Sequence, residues 1–125
     1  MSEETTTGTV VTFYDVVGKH SVLAGLPELV APNRVKPLVG ARIQTVSATV
    51  EAMFGYAQDE AKDDAERGVA FSNAMEQALG DEEPVMRSLA VDGNAFDEWE
   101  LGRNPVDLTL AYFDVLHWYL GELGK

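Results

Sequence analysis

The sequence contains no cysteine and little of several other residue types that carry chemistry. Without cysteine the chain has no disulfide framework, no thiolate nucleophile and no thiolate metal site. Lysine occurs four times and histidine only twice. No uninterrupted apolar run reaches the roughly 18 residues of a membrane-spanning helix. We therefore expect a protein with no membrane-spanning helix and no cofactor.

The first residues, MSEETTTGT, are polar and acidic, so they lack the basic and apolar regions of a signal peptide. We expect residues 1–8 to form a flexible acidic tail and residues 9–125 to form a single domain. A chain of 125 residues suffices for one core. The expected location is the cytoplasm or a soluble particle, without secretion by a signal peptide.

Acidic residues dominate the chain, which has 21 Asp and Glu against 9 Lys and Arg and a net charge of −12. The first third is neutral, because four acids and four bases lie in residues 1–42, and the whole surplus follows it. Three explanations stay open: halophilic adaptation to high salt, an acidic face for a basic partner, or solubility. In each case the surface repels nucleic acid and anionic membranes, so we expect protein partners instead.

The middle of the chain shows a helical pattern. Apolar residues spaced alternately four and three apart form a seam typical of a packed helix. This seam comprises Val39, Ile43, Val46, Val50, Met53 and Ala57. The pattern continues through Ala61, Ala65 and Val69 and predicts one long helix, or two coaxial pieces, over residues 37–79. We expect Gly80 to end it and Asp81 to cap a short helix beginning at Glu82.

The N-terminal part of the domain is ambiguous. Residues 9–17, TVVTFYDVV, are rich in β-branched and aromatic residues, which favours a strand or extended arm. The same residues place Val10, Phe13 and Val17 on one helical face, so a helix remains an alternative. Overall the sequence predicts a mainly α fold, a small helical bundle with one long central helix, a C-terminal apolar helix and a possible N-terminal strand.

The final helix is expected from Pro105 to about Leu123, with Asn104 as its N-cap. It carries two apolar seams, one of which we expect to pack on the Val39–Ala57 seam. The other contains aromatic residues typical of interface anchors. We therefore single out Tyr112, Trp118 and Tyr119 as interface residues, with burial in the chain's own core as the alternative.

Charged residues supply the remaining candidates. Basic residues concentrate before the long helix, and a head-to-tail contact between this basic corner and the acidic part of a second copy is one interpretation. The basic corner comprises Arg34, Lys36 and Arg42. An acidic face comprises Asp59, Glu60, Asp63, Asp64 and Glu66. No metal-ligand spacing accompanies these acids, so a solvated surface explains them better than a metal site.

No catalytic motif emerges from the sequence. His117 lies inside the apolar C-terminal helix without a nucleophile or metal partner, which favours a core or interface histidine over a catalytic base. We therefore expect a non-enzymatic, self-associating structural or interaction protein, such as an assembly component of a larger particle. The alternative is an acidic inhibitor or immunity-type protein that mimics nucleic acid and blocks a basic target.

Overall fold

Five α-helices make up most of the chain in a computed structural model, which describes residues 12–59 and 63–124. Two short 3-10 turns, Ser21–Leu23 and Pro32–Arg34, connect the first two helices. The described residues contain no strand, only an isolated antiparallel bridge between Leu29 and Ala90. The predicted mainly α fold is therefore confirmed. The helices are α1 Phe13–Gly18, α2 Pro37–Asp59, α3 Asp64–Leu89, α4 Gly93–Glu100 and α5 Pro105–Glu122.

The N-terminal segment is a helix where the sequence favoured a strand. Thr12 and Asp15 form a capping box, in which each side chain accepts a hydrogen bond from the other's backbone amide, at 3.1 and 2.9 Å. Val16 is buried in the core one turn into α1. The cap and this burial outweigh the β-propensity of the valines, so the strand prediction is wrong for residues 13–17. Residues 9–11 of the predicted strand lie outside the described residues.

The predicted long helix is a helical hairpin. Helix α2 begins at Pro37, as expected, and ends at Asp59. A second capping box, between Asp63 and Glu66, starts α3. Residues at the beginning of α2, such as Leu38, line the same groove as Ser88 near the end of α3, so the two helices lie antiparallel. The prediction of one helix or two coaxial pieces is therefore wrong, because α2 and α3 run in opposite directions. The prediction that most of these residues are helical is correct.

Helix α3 runs through the predicted stop. Neither Gly80 nor Asp81 interrupts it, and Pro84 lies inside the helix. Three apolar side chains beyond this point, Val85, Met86 and Leu89, are buried in the main core. Their burial holds the helix together past the glycine and the proline, because tertiary packing overrides weak local propensities. The predicted short helix starting at Glu82 does not exist as a separate element.

The two last helices have clear boundaries. Asp92 caps α4 by accepting hydrogen bonds from the amides of Asn94 and Ala95 at 3.0 and 3.1 Å. Gly102 adopts a φ of +76° between α4 and α5, a conformation that glycine allows without strain. Asn104 caps α5, accepting hydrogen bonds from two backbone amides at 2.9 and 3.0 Å. The predicted Asn104–Pro105 start of the last helix is confirmed.

Helix α5 lies at the centre and packs against α1, α2 and α3. Its predicted contact with the α2 seam is confirmed in the first half of the seam, where Ile43 is buried and Val39 and Val46 pack against the core. The second half, with Val50 and Met53, lies outside this main cluster. We call residues 50–59 and 64–78 the distal hairpin and the remaining described residues the body. The main core belongs to the body.

Candidate interaction surface

The aromatic side chains proposed as interface anchors lie mainly inside the body. Tyr112 and Tyr119 are 0% and 1% exposed. The Tyr112 hydroxyl donates a hydrogen bond to Glu100 at 2.6 Å, and the Tyr119 hydroxyl donates to the Val30 carbonyl. Burial raises the pKa of Tyr119 to about 12, so the hydroxyl stays a donor. Because both rings are enclosed by their own chain, the expectation that they face a partner does not hold for these two tyrosines.

Trp118, the third of these aromatics, is half-buried where α1 meets α5. Its ring lies edge-on to Phe13 and to Tyr119, with centroid distances of 5.4 and 5.1 Å. Edge-to-face contacts of this kind stabilise aromatic clusters beyond simple burial. Trp118 therefore fastens α1 onto α5, and the second seam of α5 serves the core.

The basic corner is on the surface. Arg34 lies in a 3-10 turn, Lys36 precedes α2, and Arg42 lies in the second turn of α2, all three exposed. No side-chain hydrogen bond or ion pair ties any of the three to another residue of the described ranges 12–59 and 63–124. The corner is therefore a concentration of positive charge that the chain itself leaves uncompensated.

Other arginines in the described ranges are bound to their own chain. The Arg87 guanidinium donates to both carboxylate oxygens of Asp97 at 3.1 Å. Arg103 lies over the Trp99 ring at 4.1 Å and donates to the Val22 carbonyl at 3.2 Å. These side chains fix loops of the body, whereas the basic corner has no such internal role.

The predicted acidic face lies at the opposite end of the α2–α3 hairpin. Asp63 and Glu66 form the cap of α3, and Asp64 pairs with Arg67. Asp59 is the last residue of α2, and Glu60 lies outside the described residues. Capping explains two of these acids, a role visible in the sequence as Asp followed three residues later by Glu. We call Asp59, Asp63, Asp64 and Glu66 the acidic tip.

Shallow grooves join these two ends along the hairpin. The first lies between α2 and α3 next to the basic corner and has a volume of about 550 Å³, with Leu38, Arg42 and Pro84 among its lining residues. The second, of about 700 Å³, runs along the distal hairpin and is lined by uncharged residues such as Ala52 and Ala70. The lining of these two grooves is therefore mostly apolar.

Two residues that the sequence did not single out have unusual environments. Glu82 is fully buried, and neither of its carboxylate oxygens has a hydrogen-bond partner among the described residues. Burial, with a smaller contribution from the nearby Asp81 charge, raises the pKa of Glu82 to about 9. Burial also raises the pKa of Glu100 to about 7. Glu82 lies on the same buried face of α3 as Ala74, Ala78 and Val85. Its position on this face can be read from the sequence only if the helix is assumed to continue through Gly80.

A further pair connects the N-terminal segment to α5. His20 Nε2 lies 2.7 Å from an Asp114 carboxylate oxygen. His117, the other histidine, is exposed, and its ring stacks on Phe113 with a centroid distance of 5.9 Å. In the described part of the chain, no group of three or more histidines and acids could hold a metal ion.

Comparison with protein-family models, with curated proteins and with solved structures gave no match for this chain. Within residues 12–59 and 63–124, no helix is both long and apolar enough to cross a membrane.

Proposed function

We propose that this chain is a non-enzymatic structural protein that associates with copies of itself, as an assembly component of a larger particle. The observation that carries the proposal is the separation of charge along the α2–α3 hairpin. Three exposed cations without internal partners lie at one end, and the acidic tip lies at the other. A second copy of the chain offers the complementary charge at each end.

The distance between these ends favours contact between molecules over contact within one molecule. Arg42 and Asp59 are 17 residues apart on the same helix, which corresponds to about 26 Å along its axis. Over this distance, screening by physiological salt removes most of the attraction within one chain. Contact between the corner of one copy and the tip of the next is head to tail, a geometry that generates rings or filaments.

Exposed apolar side chains accompany the charges at both ends. Leu38, beside the basic corner, is 63% exposed, and Val69, one turn beyond the tip, is 62% exposed. In an interface, apolar side chains supply buried surface area, and complementary charges fix how the two partners are aligned. The contact therefore does not depend on surface ion pairs alone, which contribute little by themselves.

The test is a charge reversal at the basic corner, with Arg34, Lys36 and Arg42 all changed to Glu. We expect the unaltered chain to scatter light as an oligomer and the reversed chain to scatter as a monomer. A control variant, Lys19→Glu with Asn94→Asp, also makes the chain more acidic but leaves the corner and the distal hairpin intact. It is expected to remain an oligomer.

Two results would contradict the proposal. One is an equal mass for the unaltered and corner-reversed chains. The other is a chain that stays monomeric at every concentration and forms a salt-sensitive complex with a basic protein. The second result would support the acidic-inhibitor alternative.

A further inference from the structure

Helix α3 contains a carboxyl group in a place where charge is not tolerated. Glu82 is 0% exposed, and both of its oxygens lack a hydrogen-bond partner among the described residues. An ionised carboxylate in such a position is strongly destabilising, so the group stays protonated while it is buried. The helix can keep Glu82 inside only as long as the carboxyl remains neutral.

The groups around Glu82 offer no compensating positive charge. The charge that acts on Glu82 from its own helix is that of Asp81. Glu83 and Asp97 act on Glu100 of α4, and Asp97 is paired with Arg87. Helix α5 contributes Tyr112, whose hydroxyl is held by Glu100 and responds to the charges of both Glu82 and Glu83. The buried side chains of α2 are uncharged, comprising Ile43, Ser47 and Val50. Each neighbour that ionises therefore makes a charge on Glu82 less favourable.

Two features of the backbone weaken the helix locally beside this residue. Pro84 has no amide hydrogen, so the carbonyl of Gly80, four residues earlier, lacks its helical donor. Gly80 has no neighbouring atom within 4 Å of the position where a Cβ would stand, so packing does not restrain it. Glycine in a helix interior also lowers helix stability relative to alanine. Glu82 thus lies between two positions at which the backbone of α3 is locally weakened.

From this arrangement we infer that residues 80–84 are a pH-sensitive hinge, closed while Glu82 is protonated and opened when Glu82 ionises and leaves the core. This inference goes beyond the proposed function and does not depend on it. Because Gly80, Asp81 and Pro84 line the groove beside the basic corner, opening the hinge changes that surface as well.

The direction of the pH effect follows from the two states. In the unfolded chain Glu82 ionises near the ordinary pKa of 4.5, whereas the folded chain keeps it protonated up to about pH 9. The contribution of Glu82 to the stability of the folded state is therefore largest in acid and is lost as the pH rises between these values. This is opposite to the behaviour of a carboxylate held in an ion pair.

The first measurement compares unfolding by urea at about pH 6 and about pH 8 for the unaltered chain and for Glu82→Gln. Linkage makes the unfolding constant of the unaltered chain rise roughly tenfold to hundredfold more than that of the variant. Glu76→Gln, an exposed change on the same helix, serves as the control and should behave as the unaltered chain does. An equal pH dependence for Glu82→Gln and the unaltered chain overturns the inference.

The second measurement locates the opening by hydrogen exchange. Between the same two pH values, the protection factors of amides 79–86 should fall in the unaltered chain and not in Glu82→Gln. Amides of α5 should keep their protection in both chains. A loss of protection spread evenly over the whole chain, or no loss at all, contradicts a hinge at residues 80–84.

Discussion

The body and the distal hairpin are built from the same two long helices, yet they differ in what surrounds those helices. In the body, α2 and α3 pack against the central helix α5, and buried rings such as Phe96 and Tyr112 fill the core. In the distal hairpin, α2 and α3 have mainly each other. Phe54 and Phe71 meet across it, with ring centroids 5.7 Å apart, but Phe71 remains 39% exposed.

This difference shows which part of the chain is packed on several sides by its own helices and which part is not. An amphipathic helix gains most of its stability from packing its apolar face against other elements. The distal hairpin has one such contact where the body has several, so its local opening requires less free energy. A second copy that covers the distal hairpin would therefore stabilise it more than it stabilises the body.

The largest expected contrast concerns aromatic residues in the two regions. Phe96→Ala removes a fully buried ring from the body and should lower the free energy of unfolding by about 3–5 kcal/mol. Phe71→Ala removes a partly exposed ring from the distal hairpin and should lower it by only about 1 kcal/mol. Urea unfolding of both variants measures these values. Equal losses would mean that the two regions are packed equally well.

A smaller effect is expected from a single hydrogen bond in the body. Tyr119→Phe leaves the Val30 carbonyl without the hydroxyl donor and should lower the free energy of unfolding by about 1–3 kcal/mol. Tyr14→Phe is the matched control, because Tyr14 is 83% exposed and its change should stay within about 0.5 kcal/mol. Thermal unfolding of the two variants checks the difference, and similar midpoints would contradict the buried role of Tyr119.

The smallest effect compares two helix caps. Asn104→Ala, at the start of α5, and Asp63→Ala, at the start of α3, each remove a cap that contributes about 1 kcal/mol. Because α5 is central, the first change should lower global stability. The second should chiefly speed hydrogen exchange in residues 64–78, with little change in the urea midpoint. An equal shift of both urea midpoints would show that the distal hairpin unfolds together with the body.

The sequence predicted the elements that depend on local signals. The Asn104–Pro105 start of α5, the Pro37 start of α2 and the helical seam from Val39 are all present. Each rests on a cap, a proline or a periodic pattern that acts over a few residues. The elements decided by distant contacts were predicted incorrectly. Burial of Val85 and Met86 carries α3 past Gly80, and burial of Val16 makes α1 a helix.

The candidate surface was predictable to a similar degree. The basic corner follows from composition, and the structure leaves Arg34, Lys36 and Arg42 exposed. For Tyr112 and Tyr119 the core alternative fits the structure. The sequence left both alternatives open because a helix with two apolar seams has the same pattern whether a partner or its own chain covers the second seam. Glu82 was missed because its environment exists only if α3 is continuous.

The central claim is that copies of this chain associate head to tail. The most direct test mixes two variants, each of which has the charge at one end of the hairpin reversed. One variant carries the three corner reversals to Glu. The other carries Asp59→Lys and Asp64→Lys at the acidic tip, and it keeps the Asp63–Glu66 cap. Each variant retains one intact end, so neither should associate alone, whereas a mixture should form a complex containing both. Light scattering that gives the same mass for the mixture as for the separate variants would contradict the account.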